Sequence, residues 1–215
     1  MNKREQHWTQ PETKEISKNI FLEAFSDTEV TTRLSELDSQ GLLDQLVPEF
    51  SASRNLTQDE RFHGKETVGE HAFSVLEKMT SALKNEQPFR NERLAKILTL
   101  VAFFHDIGKR PEDENETKNK GQRRVIQKNG ESFARVNFVG HPGHGAELFL
   151  RILERLDPSG EYFTKAELAL MGGMIKNHMR AIDVSRDLMK FSPEELADQI
   201  VKDVYPVELL NARLD

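Results

Sequence analysis

Leu94-Ala95-Lys96-Ile97-Leu98-Thr99-Leu100-Val101-Ala102-Phe103-Phe104-His105-Asp106-Ile107-Gly108-Lys109 is the stretch on which the fold turns. From Leu94 to Phe104 it is apolar on nearly every face. A helix of that kind, starting near Asn91, belongs in the middle of a domain rather than on its surface. Gly108, then Lys109, Arg110 and Pro111, make a helix stop, which puts His105 and Asp106 in the last turn of a buried helix. Burying an ionised carboxylate without a partner costs several kcal/mol at least, on the order of the desolvation of an ion. Two readings of the pair fit that cost. Either Asp106 meets a cation, or it points outward at the helix end while His105 is a hydrogen-bonded core histidine.

Outward from that helix, apolar residues recur at helical spacing and cap signals mark where segments begin. Thr67 with Glu70 forms a capping box opening a helix whose apolar face runs Val68, Ala72, Val75, Met79 and Leu83, with His71 in its first turn or just beyond. Downstream, a helix from about Pro142 to Leu156 turns Ala146, Phe149, Leu150 and Leu153 inward and ends at Asp157-Pro158-Ser159-Gly160. Thr164 with Glu167 caps the next, running to about His178. Ser192, Pro193 and Glu195 open another through Val204, and Pro206 precedes a last one that reaches Asp215. The first 60 residues predict two or three short amphipathic helices, Ile16 to Phe25, Thr28 to Leu37 and Leu42 to Val47. One interruption is expected: Lys128-Asn129-Gly130-Glu131 reads as a tight turn between strands Arg124 to Gln127 and Phe133 to Phe138. The fold class is all-α, a helical bundle with a small surface β-hairpin. Residues 1–60 form a helical extension packed on a core domain of residues 61–215.

Composition narrows the chemistry. The chain has 215 residues, 37% of them hydrophobic, no cysteine and a formal net charge of -6. Without cysteine there is no disulfide, no thiolate–zinc site and no cysteine nucleophile, so a metal must be held by histidine and carboxylate. The longest apolar run, around Leu100 to Phe104, is far short of the roughly 20 residues of a membrane span. The polar segment Met1 to Asn19 offers no secretory signal, so a cytoplasmic location is expected, with no membrane partner. The net charge argues against a whole surface shaped for nucleic acid, though it permits a local basic patch.

His71, His105, Asp106, His141, His178 and Asp215 recur at comparable intervals, each in or beside an end of a different predicted element. Such ends can converge on one cavity in a helical bundle. Any one of these histidines, taken singly, is better explained as a surface or core residue; all being incidental is much less plausible.

The pattern His71, then Phe104-His105-Asp106-Ile107-Gly108-Lys109, then a distant acidic residue resembles the HD phosphohydrolase superfamily. Gly41-Leu42-Leu43 through Pro48-Glu49, Gly140-His141 with Gly145-Ala146-Glu147, and Asn177-His178-Met179-Arg180 are similar to the HD region of bacterial tRNA nucleotidyltransferases and, less closely, of the PII uridylyltransferase. The similarity spans roughly residues 30 to 215. It implies an HD-type bundle with a first metal site of His71, His105, Asp106 and Asp215, and a second completed by His141 and His178, with Asp106 bridging. Nitrogen and oxygen ligands in that mixture suit Mn, Fe, Ni, Co or Zn, and Mg less well. Two such metals would hold a hydroxide in line with a phosphorus atom and hydrolyse a phosphomonoester or phosphodiester of a nucleotide or RNA end. The Gly-Gly motif and paired aspartates of the polymerising module have no counterpart in these residues, so CCA addition is not implied.

Other residues carry weaker expectations. Lys109 can serve as a catalytic or substrate-binding cation on a phosphate, or be a lysine favoured by the helix dipole. His144, one turn beyond His141, can protonate a leaving oxygen, as can His63, which would also touch substrate; a solvent-exposed histidine is as good an account of each. Arg180, in the matching stretch with His178, is assigned to substrate binding. Lys118, Lys120, Arg123, Arg124 and Lys128 form a basic cluster by the hairpin that can meet a polyanion such as RNA, or be a solvated loop. The expected activity is therefore metal-dependent phosphoester hydrolysis on a nucleotide or other phosphorylated small substrate. The alternatives are a non-catalytic module that binds nucleotide or RNA and regulates or positions a partner enzyme, and a purely structural bundle with scattered histidines. Oligomeric state is left open by the sequence.

Overall fold

The structure is a computed structural model that describes residues 11–26, 29–85, 91–110, 121–128 and 131–180. In chain order it runs α1 (Pro11–Ala24), α2 (Val30–Ser39), α3 (Leu42–Leu46), α4 (Pro48–Ser53), α5 (Glu60–His63), α6 (Val68–Asn85), α7 (Glu92–Phe104), β1 (Gly121–Lys128), β2 (Glu131–Phe138), α8 (His141–Leu156) and α9 (Lys165–Lys176). The fold is all-α with one antiparallel hairpin, whose strands pair from Gly121 with Phe138 to Lys128 with Glu131. Asn129 and Gly130, expected to form the tight turn, lie outside the described residues. No helix among the described residues is long and apolar enough to cross a membrane.

α7 is central, as its sequence requires. It packs on α6 along one side and α9 on another, and Ile97, Leu100, Phe103 and Phe104 are buried in a single apolar cluster that runs from Phe21 to Ile175. Phe103 meets the rings of Phe25, Phe50 and Phe73 with centroids 6.0, 5.0 and 5.6 Å away, and Phe104 meets Phe21, Phe25 and Phe149 at 6.4, 6.5 and 5.5 Å. Two adjacent side chains thus pin the N-terminal helices, α6 and α8 to one point. Polar ties brace the periphery. Arg93 pairs with Glu167 across α7 and α9, Arg155 with Glu49 across α8 and α4, and Arg54 with Asp38 and Asp44. Asp157 accepts from the backbone N–H groups of Glu161, Tyr162 and Phe163 and so shapes the loop into α9.

Both expected capping boxes form: Glu70 N–H donates to Thr67 Oγ1 and Thr67 N–H to Glu70, and Thr164 and Glu167 do the same. Other details depart from the sequence pattern. α7 ends at Phe104, with His105 as its C-cap, because the His-Asp pair continues as a turn rather than another helical turn. α9 stops at Lys176, so His178 lies just past its end. On α6 the buried stripe is Val68, Ala72 and Leu76; Val75, Met79 and Leu83 are only half-buried, because the stripe follows the i, i+4, i+8 row. On α8, Leu150 faces outward at 38% exposure while Leu148 and Ile152 are buried, since Leu150 sits on the flank beside Gly172 of α9. The short α4 and α5 lack a readable period. The helices expected after Ser192 and Pro206, and Asp215, Lys118 and Lys120, lie outside the described residues.

Candidate metal centre

Each histidine of the site is delivered by a helix end. His71 sits in the first turn of α6, its N–H donating to Thr67 O at 2.9 Å. His105 closes α7 and Asp106 follows it. His141 is the first residue of α8, directly after Gly140, which holds a left-handed conformation (φ 79°) that suits glycine. His178 lies in the turn after α9. Gly108 makes this convergence possible. A Cβ there would stand 2.0 Å from His141 O and 2.5 Å from Gly145 N, so the turn after Asp106 rests directly on the backbone of α8. Its φ is not positive, so the glycine is required there by this close approach and not by a left-handed turn.

Asp106 is 3% exposed and points inward, which rules out the outward reading. Its two oxygens divide the histidines. Oδ2 lies 3.1 Å from His105 Nε2 and 3.8 Å from His71 Nε2. Oδ1 lies 3.2 Å from His141 Nε2 and 3.4 Å from His178 Nε2. His71, His105 and Asp106 form one group able to hold a metal ion, and Asp106, His141 and His178 a second.

The orientation of the four rings is held from behind. His105 Nδ1 donates to Ala102 O at 2.8 Å, His141 Nδ1 to Phe138 O at 2.8 Å and His178 Nδ1 to Ile175 O at 2.7 Å; His71 Nδ1 donates to the Glu66 carboxylate at 3.2 Å. A carbonyl or carboxylate oxygen can only accept, so each Nδ1 carries a hydrogen; a ring with no second proton turns its Nε2 lone pair toward Asp106, and a ring with one donates to the carboxylate. This is the outer support that metal-ligating histidines use. His141 Nε2 and His178 Nε2 stand 3.2 Å apart.

Lone pairs gathered in this way around a carboxylate call for a cation. The edges of the second group, 3.2, 3.2 and 3.4 Å, match the ~3.3 Å between ligand atoms of a tetrahedral first-row metal with bonds of ~2.05 Å. The donor set could therefore hold a metal ion. Burial alone disfavours charge on Asp106, yet His105, together with hydrogen bonds from His105, His141 and His178, holds its carboxyl well below the ordinary range. Burial likewise opposes charge on His105, but Asp106 beside it pushes the imidazole up. His71 is pushed down, mainly by burial.

Lys109 is buried at 5% exposure. Its Nζ donates to Asp106 Oδ2 and to Gln58 Oε1, both at 2.6 Å, so its ammonium points into the site, not toward solvent. His63 flanks the centre, its ring 4.4 Å from that of His71. Burial, then Lys109 and His71, push it down to about 4, so it is neutral at pH 7. His144 is half-buried in the first turn of α8 and belongs to neither metal-holding group. Arg180 is half-buried two residues past His178. Arg123, Arg124 and Lys128 lie on β1.

Gln58 and Glu66 carried no sequence signal. Gln58 is buried between Lys109 and the start of α6, where its Nε2 donates to Thr67 O at 3.1 Å, and the bridge of Thr57 with Thr67 holds that loop in place. No protein-family model and no curated protein matches the chain at a significant level.

Proposed function

We propose that the chain is a metal-dependent phosphohydrolase of the HD type, acting on a phosphomonoester or phosphodiester of a nucleotide or an RNA end. What carries this reading is the division of one buried carboxylate between two pairs of histidines, Oδ2 toward His71 and His105 and Oδ1 toward His141 and His178. That arrangement suits a bridged pair of Mn, Fe, Ni, Co or Zn ions better than Mg, which prefers oxygen. Held by His71, His105, Asp106, His141 and His178, such metal would supply Lewis acidity for activating water near neutral pH and for offsetting charge on phosphoryl oxygens. The protein's own part is to aim and to neutralise. The Nδ1 hydrogen bonds fix the four Nε2 atoms, Asp106 supplies the shared negative charge, and Lys109 adds a fixed positive charge at the site. In the reaction the water oxygen forms a bond to phosphorus, the ester P–O bond breaks, and the leaving oxygen takes up a proton. His144 is the candidate to deliver that proton, and Arg180 and His63, which is neutral at pH 7, are candidate contacts to substrate.

The test is a panel of 2',3'-cyclic nucleotides, nucleoside monophosphates and dNTPs incubated with the full chain and each divalent metal in turn. The expected result is metal-dependent hydrolysis of at least one ester class, abolished in Asp106→Ala. Metal-loaded protein that hydrolyses none of them would overturn the reading. In that case, RNA binding with a steep salt dependence would favour a non-catalytic module that positions a partner enzyme.

A further inference from the structure

The two sides of Asp106 are alike in ligand type and unlike in occupancy. On the Oδ1 side, the His141 and His178 Nε2 atoms and Oδ1 form a nearly equilateral triangle. On the Oδ2 side, the Lys109 ammonium already sits 2.6 Å from the carboxylate oxygen, and His71 Nε2 stands off at 3.8 Å. The ammonium is not a passing surface group. It is buried, and its second acceptor, Gln58, is itself buried and tied to Thr67 O.

We propose that Lys109, held in place by Gln58, is a built-in counter-ion that makes the two metal positions load in order, the His141/His178 side first and the His71/His105 side second. An ion arriving at Oδ1 meets a preformed set of lone pairs. An ion arriving at Oδ2 must share that oxygen with a fixed positive charge at hydrogen-bond distance, or drive the ammonium off it, and must draw His71 inward. A charge-assisted hydrogen bond in a dry site is strong enough for this competition to weaken the second step by about tenfold or more. The inference rests on the metal centre proposed above, but it is read in binding and not in turnover.

The experiment titrates metal-free full-length chain with cobalt(II), following heat and visible absorption. Wild type should bind in two steps separated by about tenfold or more. Lys109→Met, which keeps an unbranched side chain and removes the charge, should tighten the second step by about tenfold and leave the first within about threefold. Mutual repulsion of two dications would also separate the steps, so their assignment matters: His178→Ala should remove the tight step, and His105→Ala should remove only the weak one. Those two variants keep Lys109 and decide the order even if Lys109→Met fails to fold. Loss of the tight step in His105→Ala, or a folded Lys109→Met with both steps unchanged, would overturn the proposal. Ordered binding without hydrolysis would count against the phosphohydrolase reading alone, and hydrolysis with the reverse order against Lys109's role alone.

Discussion

Phe103 and Phe104 are followed immediately by His105 and Asp106, and the two pairs are held by opposite physics. The phenylalanines sit among apolar rings from α1, α4, α6 and α8 and are stabilised by removal from water alone. The histidine and aspartate lie at the mouth of the same core, where removal from water works against them. Lys109 and four imidazoles surround the carboxylate there, in groups that could hold a metal ion. One half of the motif stabilises the fold unaided; the other depends on its polar partners.

Gly108→Ala should have the largest effect, because it strikes both halves. The new Cβ would overlap backbone atoms of His141 and Gly145, which cannot move aside as a flexible side chain could. A loss of about 5 kcal/mol or more, or no folded protein, is expected in urea denaturation, and any folded remainder should bind metal weakly because α8 is displaced. Phe25→Ala breaks only the apolar half. It should cost about 3 to 5 kcal/mol while the folded fraction keeps wild-type metal affinity; a parallel loss of affinity would mean the two halves are mechanically one.

The smallest effect belongs to a bridge remote from both. The Arg93 guanidinium beside Glu167 pulls its carboxyl down to about 2 from an ordinary value of 4.5. A lowered folded pKa contributes stability that is present above the ordinary value and lost as pH falls toward about 2. Glu167→Gln keeps the capping box and removes the charge. The variant should be less stable than wild type by under about 1 kcal/mol at pH 7, discounted for exposure, with the gap closing below pH 4.5 in chemical denaturation and metal binding unchanged at pH 7.

The apolar half was the more legible in sequence. The all-round apolar character of Leu94 to Phe104 required a central helix, and the capping boxes at Thr67 and Thr164 located helix starts to the residue. The helix ends were less clear, because α7 and α9 give way to turns that carry His105, Asp106 and His178, and turn geometry leaves no periodic mark. The identity of the site residues was legible because histidines are few and recur beside element ends; five of the six expected ligands converge, and Asp215 lies outside the described residues. How they converge was not legible. The Gly108 contact, the inward turn of Lys109 and the Gln58 hydrogen bonds depend on segments distant in sequence approaching each other, and no local pattern records that.

Asp106 as the shared carboxylate of a metal centre is tested most directly by thermal unfolding of metal-stripped chain, with and without manganese, cobalt, nickel or zinc, in wild type and Asp106→Asn. With metal at about a thousandfold above Kd, binding adds about 4 kcal/mol, which for a chain of this size raises Tm by about 10 °C. The account predicts that rise in wild type for at least one metal and none in Asp106→Asn, which keeps the shape of the side chain and removes its charge. A wild type unmoved by every metal, or an Asp106→Asn variant stabilised as much as wild type, would contradict it.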